Sequence, residues 1–581
     1  MKKYHKYIGI LFLGLLLSCS EDFLELSNPN ALSLSNYPTS TNDVEQMLQG
    51  AYGTQHSNGL YGHTMGPKTF FCWDHTMNLA WQGTQTWINM AQNDTNPSDS
   101  FIQGTWRDLY LGIQRANTIL GVVADFRENK PGIISEGDLD AFEGQAYYLR
   151  GWMYFQLISI WGEDFIINGQ GGDKAGVPII SQVAGSIVET DVPRSSVRES
   201  WDLVISDLTK SATLLDGITW TGPDAYKANS MSVKALLGKA YAFTDDWNSA
   251  LPLLKDVVDN SGKSLVSFEV YKDMFNGNEA NEFNNESLLE IPLTDDPAGN
   301  SNTDKSTGSW WGMILAPSWT GANGAPQAGG WSNEYVHEKN LSRFGYNLDH
   351  YFDANVTTIN SSNIRPNYIS EALAARTDGS VDPRLYVATL QPYVDTVLVA
   401  GAKVSISHYT DGVEVNREAW SSKKYQYLLD KQTAVRNGGA NIILLRMADV
   451  YLLYAEALIK TGDPTLGLEY INKVHRRAYD YPVDTPSPID YLSLTAPTKA
   501  SDAVLANDPL KYERFAELFA EGHKWYDMRR WKIGAEEAAY YESVRGGTIN
   551  WSDTDYAQPI PTLEIESNSA IDFGDQNPGY N

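Results

Sequence analysis

From Phe142 onward, apolar residues recur as Phe142, Ala146, Leu149, Met153, Leu157 and Ile160. Steps of three and four put them on one face of a helix. The same period predicts helices over 106–125, 232–243 and 247–258, and one carrying Leu444, Ala448, Leu452, Ala455 and Ile459. Boundary residues support these elements. Ser196-x-x-Glu199 is a capping box ahead of Leu203, Leu208, Ala212 and Leu215, and Asn42 with Glu45 predicts an earlier helix start. Asp463-Pro464 and Asp508-Pro509 each set a capping residue before a proline at the first helical position, the second predicting a long helix through Trp531. Two stretches, 53–105 and about 261–440, lack helical period. The second is rich in Gly, Asn, Ser and Pro and has strand-like patches at 394–399 and 404–409. Loops this long in a compact protein are either functional or disordered, and their aromatic content argues for order.

Leu237-Gly238-x-x-Tyr241 with Ala250 matches part of the tetratricopeptide pattern, a helix–turn–helix unit of about 34 residues. Lys234 stands where that pattern has Trp, and its later Pro is missing. The pair over 446–478 has similar geometry but lies at a distance that no whole number of repeats explains. The expected fold is therefore all-α: a tetratricopeptide-like helix-pair scaffold with a large irregular, loop-rich ligand-binding subdomain containing minor strands. Single pairs cannot bury their apolar faces, so they must stack. The expected divisions are a leader at 1–18, a tether at 19–40, a helical region at 41–260 with an aromatic loop at 53–105, an irregular insertion at 261–440 and a second helical region at 441–581.

The leader sets the address. Lys2, Lys3 and Lys6 precede an uncharged apolar run over 8–17, too short to span a bilayer and suited to a signal peptide. Leu16-Leu17-Ser18-Cys19 resembles a bacterial lipobox, which would make Cys19 the lipidated first mature residue. Ser20-Glu21-Asp22 resembles the acidic surface-export signal of Bacteroidetes lipoproteins. The expected location is the outer membrane, at the cell surface, with the body held by acyl chains. A net charge of −28 makes nucleic acid a poor partner, and two cysteines, Cys19 and Cys72, cannot build a disulfide framework. The chain holds 17 Trp, 33 Tyr and 18 Phe, more aromatic surface than core packing commonly needs.

Catalytic motifs are scarce. There is no G-x-S-x-G elbow; His337-Glu338 lacks the second His of a zinc helix; Gly262-Lys263-Ser264 lacks the first Gly of a P-loop. No enzyme, cofactor or metal is expected, although carboxylate pairs in so acidic a chain leave a glycosidase open.

Several segments are similar to the SusD/RagB family of outer-membrane nutrient-binding lipoproteins. These are Arg150-Gly151-Trp152-Met153-Tyr154-Phe155-Gln156-Leu157 with Trp161-Gly162; Pro193-Arg194-Ser195-Ser196-Val197 with Asp207-Leu208; and Asp382-Pro383-Arg384. Leu445-Arg446-Met447-Ala448-Asp449 through Ala457 follows, then Ile471-Asn472-x-Val474-x-x-Arg477-Ala478, where His475 replaces the usual Arg. Glu513-Arg514-x-x-Glu517-Leu518-x-x-Glu521-Gly522 through Trp531, Pro559-Ile560-Pro561 and Gln576-Asn577-Pro578-Gly579-Tyr580 complete the resemblance over about 106–581. The resemblance implies a surface lipoprotein that captures an oligosaccharide, less often a peptide, and serves a SusC-like TonB-dependent transporter. Arg446, Asp449, Glu513, Arg514 and Glu521 read as structural ion-pairing groups, because charges among apolar residues are kept only if paired.

The ligand site is then sought in the aperiodic regions. Trp73, Trp81 and Trp87 lie within 15 residues, and Trp310, Trp311, Trp319 and Trp331 within 22. A flat indole covers the apolar face of a sugar ring, while neighbouring amides bond its hydroxyl rim. Asn78, Gln82, Gln85, Asn89, Asn93, Asn323, Gln327 and Asn333 interleave with these tryptophans; Asn78 and Asn89 join the Trp residues as candidate ligand contacts. Trp106, Trp152, Trp161, Trp525 and Trp531 sit in helical signatures and read as core. Few Lys or Arg flank the clusters, which favours a neutral glycan, and a glucan would suit a non-planar set of indoles.

Overall fold

The computed structural model of the chain describes residues 37–62, 89, 93–294, 307–311, 335–348, 363–399, 402–406, 418, 420–425, 438–545 and 550–580. Helix α1 (Thr41–Tyr52) is capped by Ser40, whose side chain accepts from the Asp43 amide while Asp43 reaches back. The box thus lies two residues before the expected Asn42–Glu45 start. Helices α2 (Ser100–Asn129) and α3 (Glu136–Trp161) follow. Spacing predicted one buried face for α3. Instead it is buried nearly all round from Leu139 to Trp161, because α2 packs on one side and α4 (Val197–Leu214) on the other. The Ser196–Glu199 box opens α4 as expected. Strands β1 (Ala175–Pro178) and β2 (Arg194–Ser196) pair antiparallel beside it.

Helices α5 (Ser230–Phe243) and α6 (Trp247–Asn260) form the pair read as tetratricopeptide-like. A Cβ on Gly238 would meet Leu254 Cδ2 at 2.8 Å, so only glycine lets the two helices approach this closely. Helix α6 packs on α7 (Met447–Thr461), which packs on α8 (Pro464–Ala478). The helix stack is therefore continuous in space although the chain interrupts it. One hydrophobic core runs from Val44 to Ile571.

The interruption leaves and returns through one ladder. β3 (Ser287–Ile291) pairs antiparallel with a strand at Ile442–Arg446, Ile442 facing Ile291 and Arg446 facing Ser287. Leu444, expected on a helix, thus lies in a strand. Its neighbours give backbone hydrogen bonds to β3, and α7 begins only at Met447. Within the insertion, β4 (Thr396–Val399) and β5 (Ala402–Ser405) form a hairpin with its own small core of Leu390, Val397, Val404 and Ile406. The Ile442–Arg446 strand is β6.

The helix expected from Pro509 to Trp531 is two: α9 (Pro509–Glu517) and α10 (Lys524–Trp531). The break has an electrostatic cause. The Glu517 carbonyl accepts from Arg446 Nη2 at 2.8 Å, Tyr271 OH at 3.1 Å and Lys424 Nζ at 3.2 Å, so it is taken from the helix ladder. Gly522 then turns the chain at φ 82°. A further helix, α11 (Gly534–Arg545), follows α10. Among the described residues no helix is long and apolar enough to cross a membrane.

Candidate functional site

The stretches that carry the two Trp clusters start from one point on the scaffold. After α1 a short helical turn leads to Tyr61 and Gly62. Ser309 Oγ donates to the Tyr61 carbonyl at 2.6 Å, and the Trp310 amide donates to the Gly62 carbonyl at 3.0 Å. Ser309 and Gly438 exchange both backbone hydrogen bonds, at 3.0 and 2.8 Å. Three distant pieces of chain, at 61–62, 308–311 and 438, are thereby fastened together. Gly59 adds a fourth tie, its amide donating to Asp108 Oδ2 of α2 at 2.7 Å.

Beneath this junction runs a column of rings. Tyr61 lies 6.1 Å from Trp152 of α3 and 5.5 Å from Trp311; Trp311 lies 5.6 Å from Tyr425, and Tyr425 5.5 Å from Phe275. Tilted and edge-on contacts of this kind suit aromatic quadrupoles. The column accounts for two of the candidate tryptophans. Trp310 is 6% exposed and Trp311 2%, so they fasten the junction rather than offer a face to ligand. Asn93, one of the amides interleaved with the tryptophans, is buried and its side chain donates to the Asn550 carbonyl. Asn89 is half-buried, its carbonyl accepting from the Asp94 amide. Trp73, Asn78, Trp81, Trp87, Trp319 and Trp331 lie outside the described residues, as does Cys19. Sequence reasoning missed Tyr61, Tyr425 and Gly438, whose partners are hundreds of positions away and share no local pattern.

The floor of the junction is charged. Arg446 holds Glu286 at 2.6 Å, Glu517 at 2.7 Å and both oxygens of Glu521 at 2.7 Å. Lys424 reaches Glu521 at 2.6 Å, and Arg477 binds Glu286 and Glu517. Arg384 clamps Asp382 and Glu513. Burial opposes ionisation of Glu513, but Arg384 and His475 outweigh it and hold the carboxyl down to about 2. Burial likewise opposes Glu521, and Arg446 and Lys424 bring it to about 2. Beside α5, Lys239 donates to Asp449 at 2.8 Å and to His523 Nδ1 at 3.1 Å. Burial, then Lys239, hold that imidazole down to about 3, so it accepts as a neutral ring. Lys239, Glu521 and His523 share with Tyr61, Trp152 and Trp311 a small cavity of about 40 Å³, room for water and no more. Among the described residues no cluster of His, Cys, Asp and Glu could hold a metal ion.

The sequence motifs meet one another in these clamps. Arg150 binds Asp207 through two hydrogen bonds of 2.7 and 2.8 Å. Arg194 reaches Asn577 Oδ1 at 2.8 Å, and Arg514 reaches Asp449 at 2.9 Å. The structural reading of Arg446, Asp449, Glu513, Arg514 and Glu521 is borne out.

A profile of the SusD family matches residues 286–580, over half of the chain. The chain belongs to the SusD family. A second profile, described as starch-binding and associating with the outer membrane, matches residues 22–242 of this SusD-family chain. SusD-like protein P25 of Formosa agariphila is 24% identical over 98% of this chain and 99% of its own. SusD-like protein P38 of the same organism is 24% identical over 95% and 96%. Among solved structures, a laminarin-binding SusD-like protein superposes with a TM-score of 0.66 at 22% identity, covering 94% of this chain and all of that one. Surface glycan-binding protein A from Bacteroides fluxus superposes with a TM-score of 0.66 at 16% identity, covering 94% and 100%. Such likeness fixes the SusD fold, a mostly helical scaffold with few short strands.

Proposed function

We propose that the protein is a cell-surface lipoprotein that captures a neutral oligo- or polysaccharide and passes it to a SusC-like TonB-dependent transporter, with Cys19 carrying the lipid. The observation that carries this reading is the junction of Tyr61–Gly62, Ser309–Trp310 and Gly438, because it fastens together the points in the sequence that immediately precede Trp73, Trp81 and Trp87 on one side and Trp319 and Trp331 on the other. The sequences that follow Gly62 and Trp311 carry Trp73, Trp81, Trp87, Trp319 and Trp331, more indoles than a single sugar needs. The family profile described as starch-binding and the named glycan-binding relatives support the ligand class. The interior carboxylates favour binding without chemistry, since Glu286, Glu513, Glu517 and Glu521 are all held in ion pairs.

Affinity electrophoresis tests the reading. Gels containing starch or laminarin should retard the protein, and gels containing alginate should not. Trp73→Ala, Trp81→Ala, Trp87→Ala, Trp319→Ala and Trp331→Ala identify the contacts; at least two should weaken retention by about tenfold or more, the scale of one lost apolar face. Retention of peptides with no glycan retarding the protein would overturn the reading in favour of a peptide-binding member. Release of shorter sugars during incubation would make it a glycosidase. Cys19→Ala should abolish incorporation of an alkyne-tagged fatty acid.

A further inference from the structure

A groove of about 760 Å³ runs along α2, between the 178–191 segment and the helical turn at Thr562–Ser567. That volume is within the range of ligand clefts, about 300–1,000 Å³. Its floor is apolar: the half-buried Tyr110, Leu111 and Ile180, backed by the buried Trp106, whose ring centroid lies 5.1 Å from that of Tyr110. Its rim carries the amides of Gln103, Gln114 and Gln182. None of these three side chains makes a hydrogen bond among the described residues.

The walls are built in advance. Tyr110 OH donates to the Pro178 carbonyl at 2.8 Å and Asn117 Nδ2 to the Ile180 carbonyl at 2.9 Å. Arg150 Nη1 donates to the Ser181 carbonyl at 2.7 Å. On the far side Asn568 Nδ2 donates to the Val192 carbonyl at 3.0 Å, and Ser569 Oγ donates to Asp191 at 2.5 Å. The charges at the rim are engaged: Arg107 pairs with Asp108 at 2.7 Å, and Glu564 accepts from the Trp106 indole at 3.0 Å and from Asn568 at 2.9 Å. What remains open is the half-buried surface of Tyr110, Leu111 and Ile180, edged by neutral amides, each able to donate and accept.

We propose that this groove is a second site for a neutral oligosaccharide; the inference rests on the glycan reading above. Sugar hydroxyls also donate and accept, and a pyranose C–H face suits the Tyr110 edge of the floor. An acyl chain would leave the three amides unmatched, and an anionic ligand would meet the carboxylates of Asp191 and Glu564, which only neutral groups hydrogen-bond. Gln103 and Gln114 are eleven positions apart on α2, about 16 Å of helix, the length of a short oligosaccharide. Two sites on one body would raise retention of a long polymer well above that of a hexasaccharide.

Hydrogen exchange on the full chain, with maltohexaose and laminarihexaose as probes, reads each region separately. One of the two should protect amides over 100–117 and 561–568. That protection should persist in the Trp81→Ala/Trp319→Ala double variant. It should vanish in Gln103→Ala/Gln114→Ala, with polymer retention weaker by about tenfold or more, the scale of two lost hydrogen bonds. Gln182→Ala, on the opposite wall, should weaken it in the same direction. Protection confined to the Trp-bearing segments overturns the groove and leaves the Trp reading standing. No protection anywhere, by either sugar, overturns both. Protection of the groove by a fatty acid or a peptide and by neither sugar overturns the ligand class.

Discussion

Around Arg446 the interior holds Glu286, Glu517, Glu521, Arg477 and Lys424, with side chains no more than 1% exposed, and each charge meets an opposite one. Along α2 the groove presents three glutamines whose side chains make no hydrogen bond among the described residues. The two regions use polar chemistry in opposite ways. A buried ion costs several kcal/mol unless matched, so every member of the first cluster constrains the others. A surface amide costs nothing while water serves it, so the groove can leave bonds open for something else. Each charge of the cluster is matched by an opposite one, and the open amides of the groove are where we place a ligand.

The largest break in this contrast comes from the frame. Arg446→Met leaves Glu286, Glu517 and Glu521 facing one another and should cost about 3–5 kcal/mol in urea unfolding. Arg446→Lys should recover only part, because an ammonium cannot reproduce the forked contacts to Glu521. Trp311→Ala should cost a similar about 3–5 kcal/mol, since it removes the middle ring of the column under the junction. Trp319→Ala, read as a ligand contact, should stay within about 0.5 kcal/mol. Equal losses at Trp311 and Trp319 would place Trp319 in the core as well.

Much of the frame was legible in the chain for the same reason. Arg150 and Asp207, Arg194 and Asn577, and Asp449 and Arg514 fall in recognisable motifs because each needs its distant partner. Helix starts at Ser196, Asp463 and Asp508 were readable because a cap is a local event. The break after Glu517 was not, since it depends on Lys424, Arg446 and Tyr271 converging on one carbonyl. Trp310 and Trp311 were misread because composition records how many indoles there are and not which face is covered. The groove left no motif: Gln103 and Gln114 look like ordinary solvated helix positions until β1, its following loop and the C-terminal turn are placed beside them.

Acid should weaken the frame by a route whose sign is fixed. The unfolded chain protonates His523 near 6.5, while the fold refuses the proton until about 3. Glu513 and Glu521 take protons near 4.5 when unfolded, but only near 2 in the fold. In both cases the unfolded state binds more protons as pH falls, so stability drops with it. His523 works toward a decline below pH 6.5, but Glu282 offsets it down to about 4.5, so the net fall should set in below 4.5 and run toward 2, each group adding a slope of about 1.4 kcal/mol per pH unit. Glu282 acts oppositely. Burial, then Glu290, push it up to about 7, so its ionisation weakens the fold as pH rises from 4.5 toward 7. Urea midpoints measured from pH 7 to pH 3 check this, and a flat profile would break the account. A smaller loss, about 1–3 kcal/mol, is expected of Gly238→Ala, whose new methyl group would meet Leu254.

The smallest expected effect is the sharpest test of the contrast. Gln114→Ala should change stability by less than about 0.5 kcal/mol, because the side chain is exposed and makes no hydrogen bond among the described residues. Combined with Arg446→Met, the two losses should add within about 0.3–0.5 kcal/mol, as they do for sites that share no partner. The clamps that lock the groove walls, Arg150 to Ser181 and Asn568 to Val192, belong to other parts of the frame than Arg446 does. A coupling well above that limit would mean that the groove and the ion cluster are one cooperative element. The open amides would then be part of the frame's own polar accounting, and the division between a closed interior and a receptive surface would fail.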